Sequence, residues 1–308
     1  MKQVAIIDMG TNTFHLMLAS ITADGFAINY REKVPVKIGM GGINQGYITD
    51  DGIERAVNTM KTFRNRIGDV SVEDVLAFGT SALRNARNRE QVIKSIEEST
   101  GIKAQIISGK QEAEYIYKGT RAALKMGSEK SLIMDIGGGS VEFIIGDDKG
   151  ILWSHSFEIG GQRLLEKYQK HDPIMKEEVD ALNNFFSEEL TLLFIALKKY
   201  NPKTLIGSSG TFETLSDIYC LKNNLALMDT PETPFNLEAF GEIFKEILFK
   251  DRTARMQIPG MIEMRVDMIV VTCCLIHYIL NEYVFDQIRV SSYSLKEGIL
   301  ASLADNIR

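Results

Sequence analysis

The chain has three cysteines, no net positive charge and no apolar run long enough to cross a bilayer. Cys220, Cys273 and Cys274 are odd in number and lack metal-ligand spacing, so neither a disulfide framework nor a zinc site is expected. They read as reduced core thiols of a cytoplasmic protein. With 35 Lys and Arg against 41 Asp and Glu, the formal charge of -6 leaves no broad basic footprint for duplex nucleic acid. A polyanionic ligand would need a local basic pocket. The longest apolar run, Met268 to Ile276, is about half the ~20 residues of a spanning helix, so a buried helix is expected and no membrane partner. At the N-terminus, Met1-Lys2 runs straight into Val4-Ala5-Ile6-Ile7-Asp8, a strand pattern too brief and too quickly polar for a secretory leader.

The 308 residues are twice the ~150 expected of one domain, and a 44% hydrophobic, 25% charged composition is that of a soluble globular chain. Strand patterns fall at 4–8, 14–20, 26–31 and 34–38, followed by a helix capped by Asp50 or Asp51, in which Ile53, Val57, Met60 and Ile67 keep helical spacing. A strand at 75–78, a helix at 89–99, a strand at 104–107 and a helix at 111–124 follow. After the polar stretch 126–130 the pattern restarts with strands at 132–135 and 141–145. The spacing of Val179, Leu182, Phe186, Leu190, Leu193 and Leu197 predicts one long core helix over 176–200. A strand at 204–206, helices near 211–222, 237–249 and 262–281, a strand at 287–290 and a last helix complete an α/β chain. Two domains are expected, 1–127 and 128–308, with the last helix (about 295–308) packing back on the first.

The two halves begin alike. Ile6-Ile7-Asp8-Met9-Gly10-Thr11-Asn12-Thr13 aligns without a gap on Ile133-Met134-Asp135-Ile136-Gly137-Gly138-Gly139-Ser140, an offset of 135 − 8 = 127 residues. Each copy is an apolar strand ending in Asp, a turn of small residues and a second apolar strand. Such turns let backbone N–H groups surround phosphate oxygens, because no Cβ blocks the approach and positive φ is permitted. The Asp before each turn can hold Mg²⁺ or orient water. Ordinary turn chemistry would explain one copy, but not two in register.

These residues resemble the duplicated ATPase fold of actin, hexokinase and the heat-shock chaperones, with Gly207-Ser208-Ser209-Gly210-Thr211 similar to its third glycine motif. That likeness implies two actin-like (ribonuclease H-like) domains with a central cleft. Within the group the chain resembles the exopolyphosphatase and guanosine pentaphosphate phosphohydrolase family over essentially its whole length. The segments that carry this are Asp8 to His15, Thr80-Ser81-Ala82-Leu83-Arg84, Ser108-Gly109-Lys110-Gln111-Glu112-Ala113 and the Asp135 run ending in Glu142. Pro259-Gly260, Arg265-Val266-Asp267 and Ser294-Leu295-Lys296-Glu297-Gly298 are similar to the family's later segments. Gln111 departs from the family's usual pair of glutamates, leaving Glu112 in register with the catalytic one. The helical C-terminal domains of longer members are not expected, nor high processivity on long polyphosphate.

The resemblance implies release of terminal orthophosphate from inorganic polyphosphate, guanosine pentaphosphate or both, with Mg²⁺ and Mn²⁺ as its alternative. Glu112 would be the general base, although first-turn helix-dipole complementation also suits an acid there. Arg84 would clamp phosphate oxygens, with Asp135 and Glu142 as further catalytic acids. Gly10, Thr11, Asn12, Gly137, Gly138, Gly139, Ser140, Ser209, Gly210 and Thr211 would hold phosphates, and Asp8 and Asp135 the metal. His15 reads either as a cleft hydrogen-bonder or as a structural histidine. His171-Asp172 precedes Pro173 with no further histidine at ligand spacing, so no metal is expected there. A homodimer is implied by the resemblance alone. The rival readings are a small-molecule kinase and a nucleotide-sensing actin relative.

Overall fold

The computed structural model describes residues 1–23, 25–68, 72–227 and 229–305. In the first half β1 (Lys2–Met9), β2 (Phe14–Thr22) and β3 (Gly25–Val34) form an antiparallel meander. α1 (Asp50–Gly68) leads to β4 (Asp74–Gly79), then α2 (Ser81–Asn85) and α3 (Arg89–Thr100) lead to β5 (Ala104–Ile106) and α4 (Gly109–Ala123). The second half opens with another meander, β6 (Ser131–Ile136), β7 (Val141–Gly146) and β8 (Ile151–Phe157). It continues through α5 (Gly161–Tyr168), α6 (Lys176–Glu189), α7 (Thr191–Tyr200), β9 (Thr204–Ser208), α8 (Ser209–Lys222) and β10 (Glu232–Thr233). It closes with α9 (Leu237–Phe249), α10 (Arg252–Arg255), α11 (Ile269–Glu282), β11 (Gln287–Ser291) and α12 (Leu295–Asp305).

The first sheet has the order β3-β2-β1-β4-β5, with β4 parallel to β1 and β5 parallel to β4. The second has β8-β7-β6-β9-β11 in the same order and senses, with β10 added antiparallel at the far edge. One topology is therefore made twice. The molecule has the duplicated actin-like, ribonuclease H-like fold.

Each sheet covers its own apolar core, one around Phe14, Met60 and Phe63 and the other around Phe143, Phe186 and Phe212. A third core joins them. Ile6 and Met17 from the first sheet meet Ile133 and Ile144 from the second, with Ile116 of α4 and Leu300 of α12 between them. α12 packs on α4 and on β1 to β3, so the last helix lies against the first sheet. Residues 306–308 of that expected helix lie outside the described residues. Two glycines bring α4 and α12 backbone to backbone: a Cβ on Gly119 would lie 2.1 Å from the Ser294 carbonyl oxygen, and one on Gly298 would lie 1.7 Å from that of Tyr115. This contact seats the first turn of α12 on the middle and C-terminal half of α4.

Several boundaries differ from expectation. The pattern at 26–31 runs on to Val34 as β3, and the strand expected at 34–38 does not form, because Pro35 cannot donate to the ladder. The long helix over 176–200 is two, since Leu190 leaves helical geometry at φ −89°, ψ 11°, while Leu182, Phe186, Leu193 and Leu197 stay buried across the break. The apolar register survives although the helix does not. β8 and α5 have no counterpart in the sequence pattern, Ser154, His155 and Ser156 obscuring the alternation of β8. The segment expected as a helix over 262–281 becomes regular only at Ile269.

Candidate active site

The two hairpins match atom for atom where they turn. Gly10 N donates to Thr13 O at 3.1 Å and Gly137 N to Ser140 O at 3.0 Å. Strand register sets Asp8 opposite His15 and Asp135 opposite Glu142, so the second copy carries a carboxylate where the first has an imidazole. The turns face each other across the cleft. A Cβ on Gly138 would lie 2.5 Å from Asn12 Oδ1, and one on Gly139 would lie 2.4 Å from Thr11 Oγ1. None of Gly10, Gly137, Gly138 or Gly139 has left-handed φ. The second turn is glycine because the first presses on it, and the freedom to adopt positive φ, expected from the sequence, is not used. That conformation occurs instead at Ser209, with φ 69°.

Between the turns lies a polar cavity of about 90 Å³ whose walls include Asp8, Gly10, Thr11, Asn12, Gly137 to Ser140, Ser209 and Gly210. That space holds on the order of half a dozen waters, or a short run of phosphoryl groups. Thr211 is absent from the wall. Its side chain is buried behind the site, where Oγ1 donates to Thr272 Oγ1 at 3.3 Å.

Glu112 enters from the first turn of α4. Ser108 caps that helix with a reciprocal capping box in which Gln111 bonds back to the Ser108 N–H, so the residue that departs from the family pattern does the capping. Glu112 is 7% exposed, and its Oε2 accepts from Arg84 Nη1 at 2.6 Å. Burial first, then repulsion from Glu142, pushes its carboxyl well above the usual range, with Arg84 opposing. Glu142 accepts from Ser140 at 2.8 Å and Ser156 at 2.7 Å, yet burial and the charge of Asp135 carry it up to about 7. Asp135 takes one hydroxyl on each oxygen, Ser209 at 2.7 Å and Ser294 at the start of α12. Burial raises it, and those hydroxyls hold it down.

Asp8 is different. Its Oδ1 is buried without a hydrogen-bond partner, and burial above all takes the carboxyl up to about 7, Lys296 opposing while Asp135 and Glu297 add to the rise. Thr11 Oγ1 and Asn12 Oδ1 are likewise buried and unpartnered. These oxygens suit a hard divalent cation that takes one or two carboxylates, waters and phosphate oxygens. Asp135, already engaged by two serines, is the weaker of the two expected ligands. Among the described residues no group of three His, Cys, Asp or Glu is arranged to hold a metal.

Sequence reasoning did not assign the cations of the opposite wall. Lys33, Arg265 and Lys296 line the cavity with Glu213, which accepts from Lys33 at 3.3 Å. Arg265 lies directly over Gly210, where a Cβ would meet Nη2 at 1.8 Å, and its Nε is buried without a partner. Gly210 thus seats an arginine. Burial pulls Lys296 down, but Glu297, Glu213 and Asp8 outweigh it and keep it charged. The same three cations, after burial, hold His15 well below its usual range and hence neutral. Arg265 and Lys296 stood in motifs noticed for their resemblance, whereas no signal marked Lys33 or Glu213.

The model described as the Ppx/GppA phosphatase family matches residues 17–307. The chain belongs to this family. It is 41% identical to a solved exopolyphosphatase from Cytophaga hutchinsonii, covering 100% of this chain and 99% of that one at a TM-score of 0.96. A putative exopolyphosphatase of Haemophilus influenzae is 27% identical over 307 residues, 100% of this chain and 93% of its own. A guanosine-5'-triphosphate,3'-diphosphate pyrophosphatase of Photobacterium profundum is 30% identical over 214 residues, 70% of this chain and 43% of that longer one. The chain is a phosphohydrolase, and neither the kinase nor the nucleotide-sensing reading is favoured. None of its described helices is long and apolar enough to cross a membrane.

Proposed function

We propose that the chain is an exopolyphosphatase, removing the terminal orthophosphate of inorganic polyphosphate. The observation that carries the reading is the Glu112–Arg84 pair at the edge of a cavity walled by two phosphate turns and three cations. Polyphosphate is preferred over guanosine pentaphosphate because Lys33, Arg265 and Lys296 offer three positive charges to phosphates, and among the described residues no Phe, Tyr or Trp lines the cavity to stack a base. The solved Cytophaga hutchinsonii relative, covered to 99% of its length, bears the exopolyphosphatase name, and the Haemophilus influenzae relative, covered to 93%, that of a putative exopolyphosphatase.

Hydrolysis needs an in-line water, a base and positive charge on the terminal phosphoryl group. Glu112 takes the water's proton on a carboxylate oxygen, and its raised pKa makes it a stronger base than an ordinary carboxylate. Arg84 holds Glu112 in place and presents its second terminal nitrogen to the phosphoryl oxygens. Backbone N–H groups of the turns orient the chain. Neutral His15 adds no charge beside Asp8. Mg²⁺, or Mn²⁺ in its place, would be held by Asp8 with Thr11 or Asn12, and supplies charge neutralisation on the phosphate oxygens when bound.

The three buried thiols suit a reducing cytoplasm. Action on guanosine pentaphosphate would tie the enzyme to the stringent response. The homodimer rests on resemblance alone and is decided by sedimentation. The test of function is orthophosphate release with Mg²⁺ from short polyphosphate, long polyphosphate and guanosine pentaphosphate, with Glu112→Ala beside wild type. Polyphosphate is expected to be turned over fastest. No turnover of any of the three overturns the reading.

A further inference from the structure

Glu158 lies just after β8, in a second pocket that Arg84 also lines. Its carboxylate accepts from three side chains at once: Ser81 Oγ at 2.6 Å, Arg163 Nη2 at 3.1 Å and Arg84 Nη2 at 3.3 Å. Ser81 and Arg84 belong to α2 in the first half and Arg163 to α5 in the second, so the three donors converge from both sides. Arg163 is itself fixed by the carbonyls of Gly139 at 2.8 Å and Ile43 at 2.9 Å. The two arginine side chains are 15% and 14% exposed while that of Glu158 is 41% exposed. The donors are built in. The acceptor is not.

Two arginines and a hydroxyl converging on an anion make a phosphate-binding arrangement, and here a carboxylate of the chain occupies it. Ser81 also reaches the second turn, since a Cβ on Gly139 would lie 2.5 Å from its Oγ. Ser81 also lines the catalytic cavity, so the cradle abuts it. Arg84 bonds Glu112 through Nη1 and Glu158 through Nη2. Of the two N–H donors on Nη2, the one aimed at Glu158 becomes available to a phosphoryl group when Glu158 withdraws.

We propose that Glu158 is a specificity-determining residue, a tethered carboxylate that competes with phosphoryl oxygens for Ser81, Arg84 and Arg163. A tethered group competes at an effective concentration of about millimolar or above. Free orthophosphate, held by the cradle alone, is bound only weakly. The end of a phosphate chain is held in addition by the turns and by Lys33, Arg265 and Lys296, and displaces Glu158. After hydrolysis Glu158 returns and expels the orthophosphate. This rests on the reading in which Arg84 meets the terminal phosphoryl group.

The test is calorimetric binding of inorganic phosphate to the full chain, together with its inhibition constant in polyphosphate hydrolysis, for wild type, Glu158→Gln, Glu158→Ala and Arg84→Ala. Both Glu158 variants are expected to bind orthophosphate roughly 3- to 10-fold more tightly, with stronger product inhibition and a smaller fall in KM. Arg84→Ala is expected to weaken orthophosphate. If Arg84→Ala weakens it while the Glu158 variants bind it no better than wild type, Glu158 is only a strut between the halves and the proposal fails alone. If Arg84→Ala leaves orthophosphate binding unchanged, the reading of Arg84 fails, and this proposal with it. Thermal melts of all four proteins show that the comparison is between folded chains.

Discussion

Arg84 Nη1 stands 2.6 Å from Glu112 Oε2, so the cation that would face the terminal phosphate is bonded to the group that would activate water. The two act as a unit. Glu112→Ala is expected to lower kcat by ~10²- to 10⁴-fold with the melting temperature little changed, because the residue removed is a buried acid whose charge is disfavoured. Arg84→Ala should cost a comparable factor, and the double variant little more than the worse single one. Rates of phosphate release from the four proteins decide it. Losses that multiply would show two independent contributions.

The buried carboxylates make stability depend on pH in a definite direction. Asp8 and Glu142 titrate at about 7 in the fold, against roughly 4 when unfolded. Between those values the folded chain binds more protons than the unfolded one, so unfolding free energy falls as pH rises. Their favourable contribution is complete below ~pH 4 and lost as pH passes about 7. Metal-free protein should melt lower at about pH 8 than at about pH 5, and Glu142→Gln should flatten that difference. Melts in chelator at both pH values test it. An equal difference in wild type and variant would remove Glu142 from the account.

Metal should reverse part of this trend. A divalent cation at Asp8 favours the ionised carboxylate, so Mg²⁺ is expected to raise the melting temperature more at about pH 8 than at about pH 5. Asp8→Asn should abolish the Mg²⁺ effect, whereas Asp135→Asn, whose oxygens are occupied by Ser209 and Ser294, should reduce it less. Equal responses in the two variants would place the cation between the two hairpins rather than on the first.

What the sequence could reveal divides along the lines of locality. Asp8 and Asp135 were legible because strand, acid and turn are contiguous, and because the pattern occurs twice at one offset. The partners of Asp135 were not, since Ser209 and Ser294 lie 74 and 159 residues away and reach it only through the order of the second sheet and the seating of α12. Lys33 was hidden for the same reason, being on β3 and brought to the cavity only by its pairing opposite His15 of β2. Thr211 followed the glycine motif, but one residue of helix was enough to turn its side chain into the core. The break at Leu190 was invisible because apolar periodicity reports which face is buried and not whether the backbone is continuous.

The glycine contact between α4 and α12 ties this packing to the site. A Cβ at position 298 would fall 1.7 Å from the Tyr115 carbonyl oxygen, an overlap that can be relieved only by moving the helices apart. Overpacking of this kind costs about 1–3 kcal/mol or more. Because α4 carries Glu112 and Ser294 starts α12, Gly298→Ala should lower kcat as well as the melting temperature. A variant that loses stability but keeps full kcat would show that the helix ends are positioned independently of that contact.

Arg265 and Gly210 give the last prediction, in which one position reports on another. Nothing but hydrogen fits on the Cα of Gly210, since a Cβ would lie 1.8 Å from Arg265 Nη2. Gly210→Ala should therefore expel the guanidinium and copy Arg265→Ala. Losing a charge-assisted contact to phosphate is worth about 1.5–3 kcal/mol, or roughly 10- to 100-fold, and is expected chiefly in KM for short polyphosphate. The double variant should match either single one, because the alanine at 210 has already removed what the second change deletes. Steady-state kinetics of the three variants test this directly. A Gly210→Ala enzyme with wild-type KM would mean that the arginine has another seat in the cleft, and that the glycine serves the α8 turn itself.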